Sequence, residues 1–319
     1  MKIIRGIYHL KKINSNSVVS IGNFDGVHLG HQKLLSTVYK IGTENNMLKI
    51  IILFEPQPLE FFNNKNPPKR ITKFFQKIKY IELYKIDIVI CIKFNKFFSN
   101  LNPKEFVKKI LIKKLNIKFI ISGEDFKFGS KRNGNISFLE KISKKYNFSI
   151  IKIKSIYKNN IKVSSTNIRK YLLKNDIESA KLLLGRRFSI IGRVIYGKQI
   201  GRKLGFPTAN IKLNNNISIN NGVYAVKVNY FLEKKIYLGI CNIGIKPSFN
   251  NIKINKLLEV HLFNTDIDLY EKKIEIFLYK KIRNEYFFTS QEKLKKQIFE
   301  DVKIVKQYFN ILDQNLLIR

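Results

Sequence analysis

Between Val18 and about Tyr157, short uninterrupted apolar runs alternate with amphipathic helical patterns. This alternation limits what the 319-residue chain can fold into more than any other feature of it. Val18–Ile21, Ile50–Phe54, Ile88–Ile92, Phe119–Ser122 and Ser149–Ile153 lack the polar alternation of a strand with one solvated face. Thr72–Tyr84 and Pro103–Leu115 carry apolar residues at helical spacing between such runs. Strands buried on both faces and joined by helices predict a doubly wound parallel sheet, which binds its ligands at the carboxyl ends of the strands.

Two segments fall at such ends. Gly22-Asn23-Phe24-Asp25-Gly26-Val27-His28-Leu29-Gly30-His31 follows the first predicted strand and holds two of the chain's four histidines. Gln32-Lys33-Leu34-Leu35 then reads as a helix. Strand, glycine turn and helix start outline a phosphate site, because backbone N–H groups face an anion and glycines let it approach. His28 and His31 share a helix face and suit the charge that builds on a triphosphate when its α-phosphorus is attacked; a purely structural histidine pair is the alternative. The second segment, Ser122–Gly129, follows the strand predicted at Phe119–Ser122. A third, Val163-Ser164-Ser165-Thr166-Asn167-Ile168-Arg169, sets hydroxyls at a helix start with an arginine one turn on. That arrangement suits β,γ-phosphates, and Ser-Ser-Thr alone also reads as an ordinary helix cap.

Past Ile168–Leu173 the pattern changes. A short helical piece, Asp176–Leu184, leads to strand-like runs at Phe188–Ile195, Gly222–Val228, Ile236–Ile243, Leu257–Phe263 and Lys273–Tyr279. Gly, Asn and Pro turns separate them at the spacing of an all-β barrel or sandwich, and a helix from about Gln291 to Leu312 follows. The expected domains are therefore 1–184 and 185–319, each long enough for a core of its own. Thr208 and Asn210 offer neutral oxygens on one face of a strand, a donor set suited to hydrated Mg²⁺. Gly197 and Gly201-Arg202 suit a phosphate-covering flap. Glu259, between Leu258 and Val260, reads as a solvent-facing strand residue or as a general base for a hydroxyl. His261 faces the same side and reads as its support.

The net charge of +37 raises the question of nucleic acid. Of the 60 basic residues, ten are Arg, and the lysines are spread evenly instead of being gathered with aromatics on one face. Lys, Ile and Asn dominate loops and strands alike, the signature of AT-rich codons. The charge predicts a solvated surface and no specific nucleic acid. No apolar run is long enough for a membrane span, Met1-Lys2-Ile3-Ile4-Arg5 has no secretion signal, and Cys91 and Cys241 are isolated thiols. These features predict a cytoplasmic protein without a disulfide framework or a zinc site.

Three motifs taken in order, Gly-Asn-Phe-Asp-Gly-Val-His-x-Gly-His, Gly-x-Asp-Phe-x-Phe-Gly-x-x-Arg-x-Gly (Gly123 to Gly134) and Ser-Ser-Thr-x-Ile-Arg, resemble the FMN adenylyltransferase module of the prokaryotic bifunctional riboflavin kinase/FAD synthetases. That module is an HxGH nucleotidyltransferase. Gly192–Gly197, Gly201–Asn210 with its Pro-Thr-Ala-Asn ending, Gly222–Ala225, Asn242–Phe249, Leu258–Leu262 and Arg283–Phe288 resemble the riboflavin kinase module. The matches keep the family's order from about residue 18 to 301. The resemblance implies ATP-dependent phosphorylation of riboflavin to FMN, then adenylylation of FMN by a second ATP to FAD and pyrophosphate, with Mg²⁺ as cofactor. In the first domain it implies ATP contacts for Gly22, Asn23, Phe24, Asp25, His28, His31, Ser165, Thr166 and Arg169, and flavin contacts for Asp125, Phe126 and Phe128. In the second it implies ATP contacts for Gly197, Arg202, Thr208 and Asn210, with Thr208 and Asn210 on the metal. It adds flavin contacts for Arg283, Glu285, Phe288 and Ser290, and Glu259 as the base. Riboflavin, FMN and ATP are then the partners, no membrane is involved, and the oligomeric state is open.

Leu29, Leu53, Gln57, Asn167 and Ser248 depart from the family pattern, where Arg, Thr, His, Arg and Thr are usual. All but Ser248 lie in the first domain. They motivate the alternative of a kinase with a weakened or decayed adenylyltransferase half. A basic nucleic-acid-binding protein, and a nucleotidyltransferase acting on another phosphorylated metabolite, are further alternatives that gain nothing from the second domain's motifs.

Overall fold

The computed structural model describes residues 1–197, 199–213, 216–233, 235–246 and 255–316. The chain divides into two compact units, Met1–Asn167 and Ile168–Arg319. The Pro247-Ser248-Phe249 motif lies outside the described residues.

In the first unit, strands β1 (Lys2–Arg5), β2 (Ser17–Ile21), β3 (Leu48–Glu55), β4 (Ile88–Lys93), β5 (Ile117–Gly123) and β6 (Ser149–Ile153) form one parallel sheet, ordered β1-β4-β3-β2-β5-β6. Every residue of β2 is buried. The pleat sends Val19, Ile50, Ile90 and Ile120 into the core on one face of the sheet, and Val18, Ile51, Val89 and Ile121 into the core on the other. Sealing both faces is what makes these strands read as unbroken apolar runs.

Helix α1 (Leu29–Glu44) carries the chain from β2 to β3, and α2 (Phe74–Glu82) precedes β4. After β4 the chain crosses to the far side of β2 to form β5. The strand order therefore reverses between β2 and β5, and such a crevice is where doubly wound sheets in general take their ligands. Gly22–His28 and Glu124–Phe128 stand at its mouth.

Two local features differ from the sequence reading. β1 was not expected: it is a partly exposed edge strand with charged ends and no apolar run. The helical stretch from Pro103 runs through a π-helix at Phe106–Ile112, which still buries Phe106, Val107, Ile110 and Leu111.

Helix α3 (Ser165–Leu173) spans the division between the units. Helix α4 (Ile177–Leu184) is capped by Asp176, whose Oδ1 accepts from Ser179 N at 3.0 Å, and ends at Gly185 with φ 69°. The second unit then closes a barrel, which decides between barrel and sandwich. Its strands are β7 (Ser189–Ile195), β8 (Ala209–Lys212), β9 (Gly222–Tyr230), β10 (Lys235–Lys246), β11 (Asn255–Leu262) and β12 (Lys273–Arg283), in the order β7-β8-β11-β10-β9-β12. β8 is only four residues long and is held by β7 and β11.

The terminal helix α5 (Gln291–Leu316) lays Val305 and Phe309 against Val223, Ala225 and Ile240. Phe309 is fully buried, with its ring 5.4 Å from that of Tyr279. Phe309→Ala is expected to destabilise the barrel unit by about 3–5 kcal/mol, the usual effect of removing a buried aromatic side chain. Urea unfolding followed by circular dichroism would show it as a lowered midpoint.

Candidate active sites

The turn after β2 is built around a buried carboxylate. Asp25 is 1% exposed. Its oxygens accept from Ile71 N at 3.1 and 3.2 Å, from Thr72 N at 3.1 Å and from the Thr72 hydroxyl at 3.4 Å. Thr72 Oγ1 in turn accepts from Gly26 N at 3.0 Å. The Asp25 carbonyl takes the Ser165 hydroxyl at 2.9 Å, which ties the start of α3 to the same turn. Phe24 is fully buried. The side chains of Phe24 and Asp25 thus build the turn from inside, and the turn meets solvent through other groups.

His28 is the N-cap of α1, with Nδ1 accepting from His31 N at 3.4 Å. The two imidazoles stack, with ring centres 3.7 Å apart and an 18° tilt. A Cβ at position 30 would lie 3.2 Å from the His28 ring, so Gly30 permits this packing. Ser164 Oγ caps α3 by accepting from Asn167 N at 3.2 Å. Thr166 is exposed on the first turn of α3, and Arg169 follows one turn later.

Gly22, Asn23, Asp125, Phe126 and Phe128 line one cavity of about 500 Å³. Phe126 and Phe128 stack at 5.4 Å, and the floor includes Phe54, Phe94 and Phe98. An apolar, aromatic-walled cavity of this size suits a flat ring system. Asp125 at its edge is bonded to Lys162 Nζ at 2.5 Å. Lys127, Lys131 and Arg132 add positive charge to the same lining. The sequence reading quoted Arg132 within its second motif without giving it a role, and it missed Lys127, Lys131 and the phenylalanines of the floor. Of the departures from the family pattern, Leu53 and Gln57 are buried and Asn167 is bonded to the backbone. Leu53 is 1% exposed in the core, Gln57 is 5% exposed, and Asn167 Nδ2 donates to Lys162 O at 2.9 Å.

In the barrel, strand pairing sets Glu259 opposite Asn210 on one side and Asn242 on the other. Glu259 and His261 alternate with buried Val260 and Leu262 along β11, so the polar pair shares one face. Glu259, His261, Arg283, Glu285 and Phe288 line a cavity of about 380 Å³. A second cavity, of about 710 Å³, is lined by Arg202, Ala209, Asp266 and the stacked pair Tyr196 and Tyr270, whose rings lie 4.1 Å apart. Thr208 lines both cavities.

Asn210 Oδ1 is buried with no hydrogen-bond partner among the described residues. A Cβ on Gly197 would come within 2.5 Å of the Asn210 amide, so only glycine lets the backbone pass there. Asn221 and Asn242 each donate to Glu285 at 3.3 Å. Arg283 is held by Asp301 through two bonds of 3.0 and 2.9 Å from Nε, and its guanidinium lies 4.8 Å over the Tyr286 ring. Ser290 is not part of that lining; its hydroxyl accepts from Lys293 N at 3.2 Å at the start of α5.

His261 Nδ1 lies 2.9 Å from the Pro207 carbonyl, which fixes the ring beside Glu259. Burial holds the imidazole below the ordinary value of 6.5; the Pro207 carbonyl opposes that shift and nearby Lys306 adds to it. The unfolded chain then binds this proton more readily than the folded one. The barrel is therefore expected to lose stability as pH falls below 6.5, and His261→Gln to flatten that part of the profile. Melting temperature against pH for the two proteins measures it.

The fold and its sites define a two-unit protein: a nucleotidyltransferase-like doubly wound sheet with a histidine-capped turn at its switch point, and a closed barrel with a carboxylate-lined pocket. Residues 10–167 match the family described as FAD synthetase, and residues 184–309 match riboflavin kinase. The bifunctional riboflavin kinase/FMN adenylyltransferase of Buchnera aphidicola subsp. Schizaphis graminum is 68% identical over 313 residues, which cover 98% of this chain and 100% of the relative. The Escherichia coli K12 protein of the same name is 39% identical over 312 residues, covering 98% and 99%. A solved Streptococcus pneumoniae structure, described as a macrolide-efflux protein, superposes with a TM-score of 0.81 at 25% identity and covers 96% of this chain and 99% of its own. Among the described residues of this chain, no helix is long and apolar enough to cross a membrane. The chain belongs to the family of bifunctional riboflavin kinase/FMN adenylyltransferases.

Proposed function

We propose that the two activities divide between the units, with riboflavin phosphorylated on the barrel and FMN adenylylated on the parallel-sheet unit. The functional boundary is placed at 184/185, so that the domains are 1–184 and 185–319. The reading rests most on Thr208, which lines both barrel cavities. One cavity suits a nucleotide and the other a flavin, and phosphoryl transfer needs their reacting ends to meet.

In the kinase step Glu259 takes the proton of the riboflavin 5′-hydroxyl as its oxygen attacks the γ-phosphorus of ATP, and ADP leaves. Asn210 and Asn242 flank Glu259, and His261 supports it. Gly197 and Arg202 cover the phosphates, and Arg283, Glu285 and Phe288 face the flavin. Thr208 and Asn210 would hold Mg²⁺; the buried, unbonded Asn210 Oδ1 is a donor of the kind a hard cation takes. When bound, the ion neutralises phosphate charge.

In the adenylyl step an oxygen of the FMN phosphate attacks the α-phosphorus of ATP, and pyrophosphate leaves. His28 and His31 stabilise the charge developing there, together with the backbone N–H groups of the turn. Ser165, Thr166 and Arg169 hold the β,γ-phosphates, and Gly22 and Asn23 border the nucleotide. The isoalloxazine ring lies against Phe126 and Phe128, near Asp125. The partners are riboflavin, FMN and ATP, and the enzyme works in the cytoplasm, a reading supported by the two free buried thiols, Cys91 and Cys241.

Glu259→Ala is expected to abolish FMN formation while FMN-to-FAD conversion persists. His31→Ala is expected to do the reverse, each loss being on the order of a hundredfold or more. Chromatography of the flavins formed from riboflavin or FMN by each purified variant measures both. If both folded variants lost both activities, this division of labour would be wrong.

A further inference from the structure

Helix α5 supplies Leu294, Ile298 and Asp301 to the wall of the cavity of about 380 Å³ that also holds Glu259 and Arg283. Leu294 and Ile298 are the apolar groups that such a wall calls for. Asp301 is a carboxylate only 2% exposed, and a buried carboxylate is costly unless its oxygens are bonded. Seating the helix does not explain it. Val305 and Phe309, one and two turns further along the same face, already dock α5 in the barrel core.

Both Asp301 oxygens go to one guanidinium. Arg283 Nε donates to Oδ1 at 3.0 Å and to Oδ2 at 2.9 Å, and Arg283 Nη2 lies 2.8 Å from Oδ2. Gln297, one turn earlier on α5, donates to Oδ1 at 3.0 Å and so fixes the carboxylate from its own helix. A guanidinium is planar, so a carboxylate along its Nε–Nη2 edge sets its plane as well as its position. Nη1 donates to the Asn284 carbonyl at 2.9 Å. The guanidinium lies 4.8 Å from the Tyr286 ring centre and 5.7 Å from that of Phe288. Residues 284–288 lie outside any helix or strand, and Tyr286 is half exposed, so burial alone does not hold this segment. Tyr286 and Phe288 nevertheless line the cavity, and Arg283 joins them to α5.

We propose that Asp301 is a positioning residue for riboflavin binding: it fixes the plane of Arg283, and through Arg283 the Tyr286 and Phe288 wall, so that α5 is part of the kinase site. The proposal rests on assigning riboflavin to this cavity.

The test compares the full-length wild type with Asp301→Asn, Arg283→Gln and the double variant. Initial rates of FMN formation give kcat and the KM values for riboflavin and for ATP. Cooperative melting is the fold control, and FMN-to-FAD conversion is the reference within the same chain. Asp301→Asn is expected to raise KM for riboflavin tenfold or more, with KM for ATP and FMN-to-FAD conversion within twofold of wild type. A purely structural pair would lower the amount of active enzyme, and hence the apparent kcat, and leave both KM values unchanged. The double variant is expected to have the riboflavin KM of Arg283→Gln, because Asp301 acts through Arg283.

An unchanged KM for riboflavin in folded Asp301→Asn overturns the proposal, and so does an equal rise in both KM values. A riboflavin KM tenfold higher in the double variant than in Arg283→Gln overturns it as well. If Asp301→Asn does not melt cooperatively, the double variant decides, since it leaves neither charge buried without its partner. A riboflavin KM equal to that of Arg283→Gln then supports the proposal, and one tenfold higher overturns it. A wild-type chain that forms no FMN from riboflavin overturns the underlying assignment, and the proposal with it.

Discussion

Three donor groups from Ile71 and Thr72 converge on the buried Asp25 carboxylate, and the turn after β2 depends on that contact. The turn is conformationally costly. Phe24 and Val27 sit at φ 48° and 39°, a region that residues with side chains seldom occupy. Their burial in the core, at 0% and 1% exposure, and the hydrogen bonds to Asp25 hold them there. The result is a helix start whose first side chains are the stacked His28 and His31, at the one crevice where the sheet's strand order reverses. Because the sheet is sealed on both faces, its strand ends are where it can meet a ligand.

The barrel meets the same requirement by other means. A closed antiparallel sheet has no reversing strand order, so chemistry is set across neighbouring strands. Cross-strand register places Asn210, Glu259 and Asn242 in a row over β8, β11 and β10, while the pleat turns Val260 and Leu262 to the opposite face. One polar residue moved by a single position along β11 would point into the other layer. The accuracy of this site therefore comes from backbone hydrogen bonding, and the side chains inherit it.

Much of this was legible in the sequence because burial on both faces leaves an unambiguous trace. β2, β3, β4, β5 and β6 appear where apolar runs predict strands, and the two motifs at the ends of β2 and β5 lie at the switch point. β1 left no such trace, since an edge strand with an exposed Ile3 needs no apolar run. The short β8 has no apolar run of its own either; only the strand reading of Thr208 and Asn210 pointed to it, and the observed strand begins at Ala209. The direction in which side chains point was less legible. Asp25 sits in a nucleotide-binding motif, yet its carboxylate faces inward, because the backbone N–H groups that complete it come from residues 46 and 47 positions away. Lys77, fully buried on α2, was invisible among so many lysines, because only tertiary burial separates it from the solvated ones. Ser290 and Arg283 show the same limit: a motif names residues, but capping and pairing partners decide what their polar atoms are free to do.

We propose two consecutive flavin reactions at separate sites of one chain. A time course of the purified wild-type protein with riboflavin, ATP and Mg²⁺, the flavins being separated by chromatography, tests it most directly. Riboflavin should fall as FMN rises, and FAD should follow after a lag and accumulate together with pyrophosphate. FMN that accumulates to completion without FAD would contradict the claim and would identify a kinase whose first unit no longer transfers adenylyl groups.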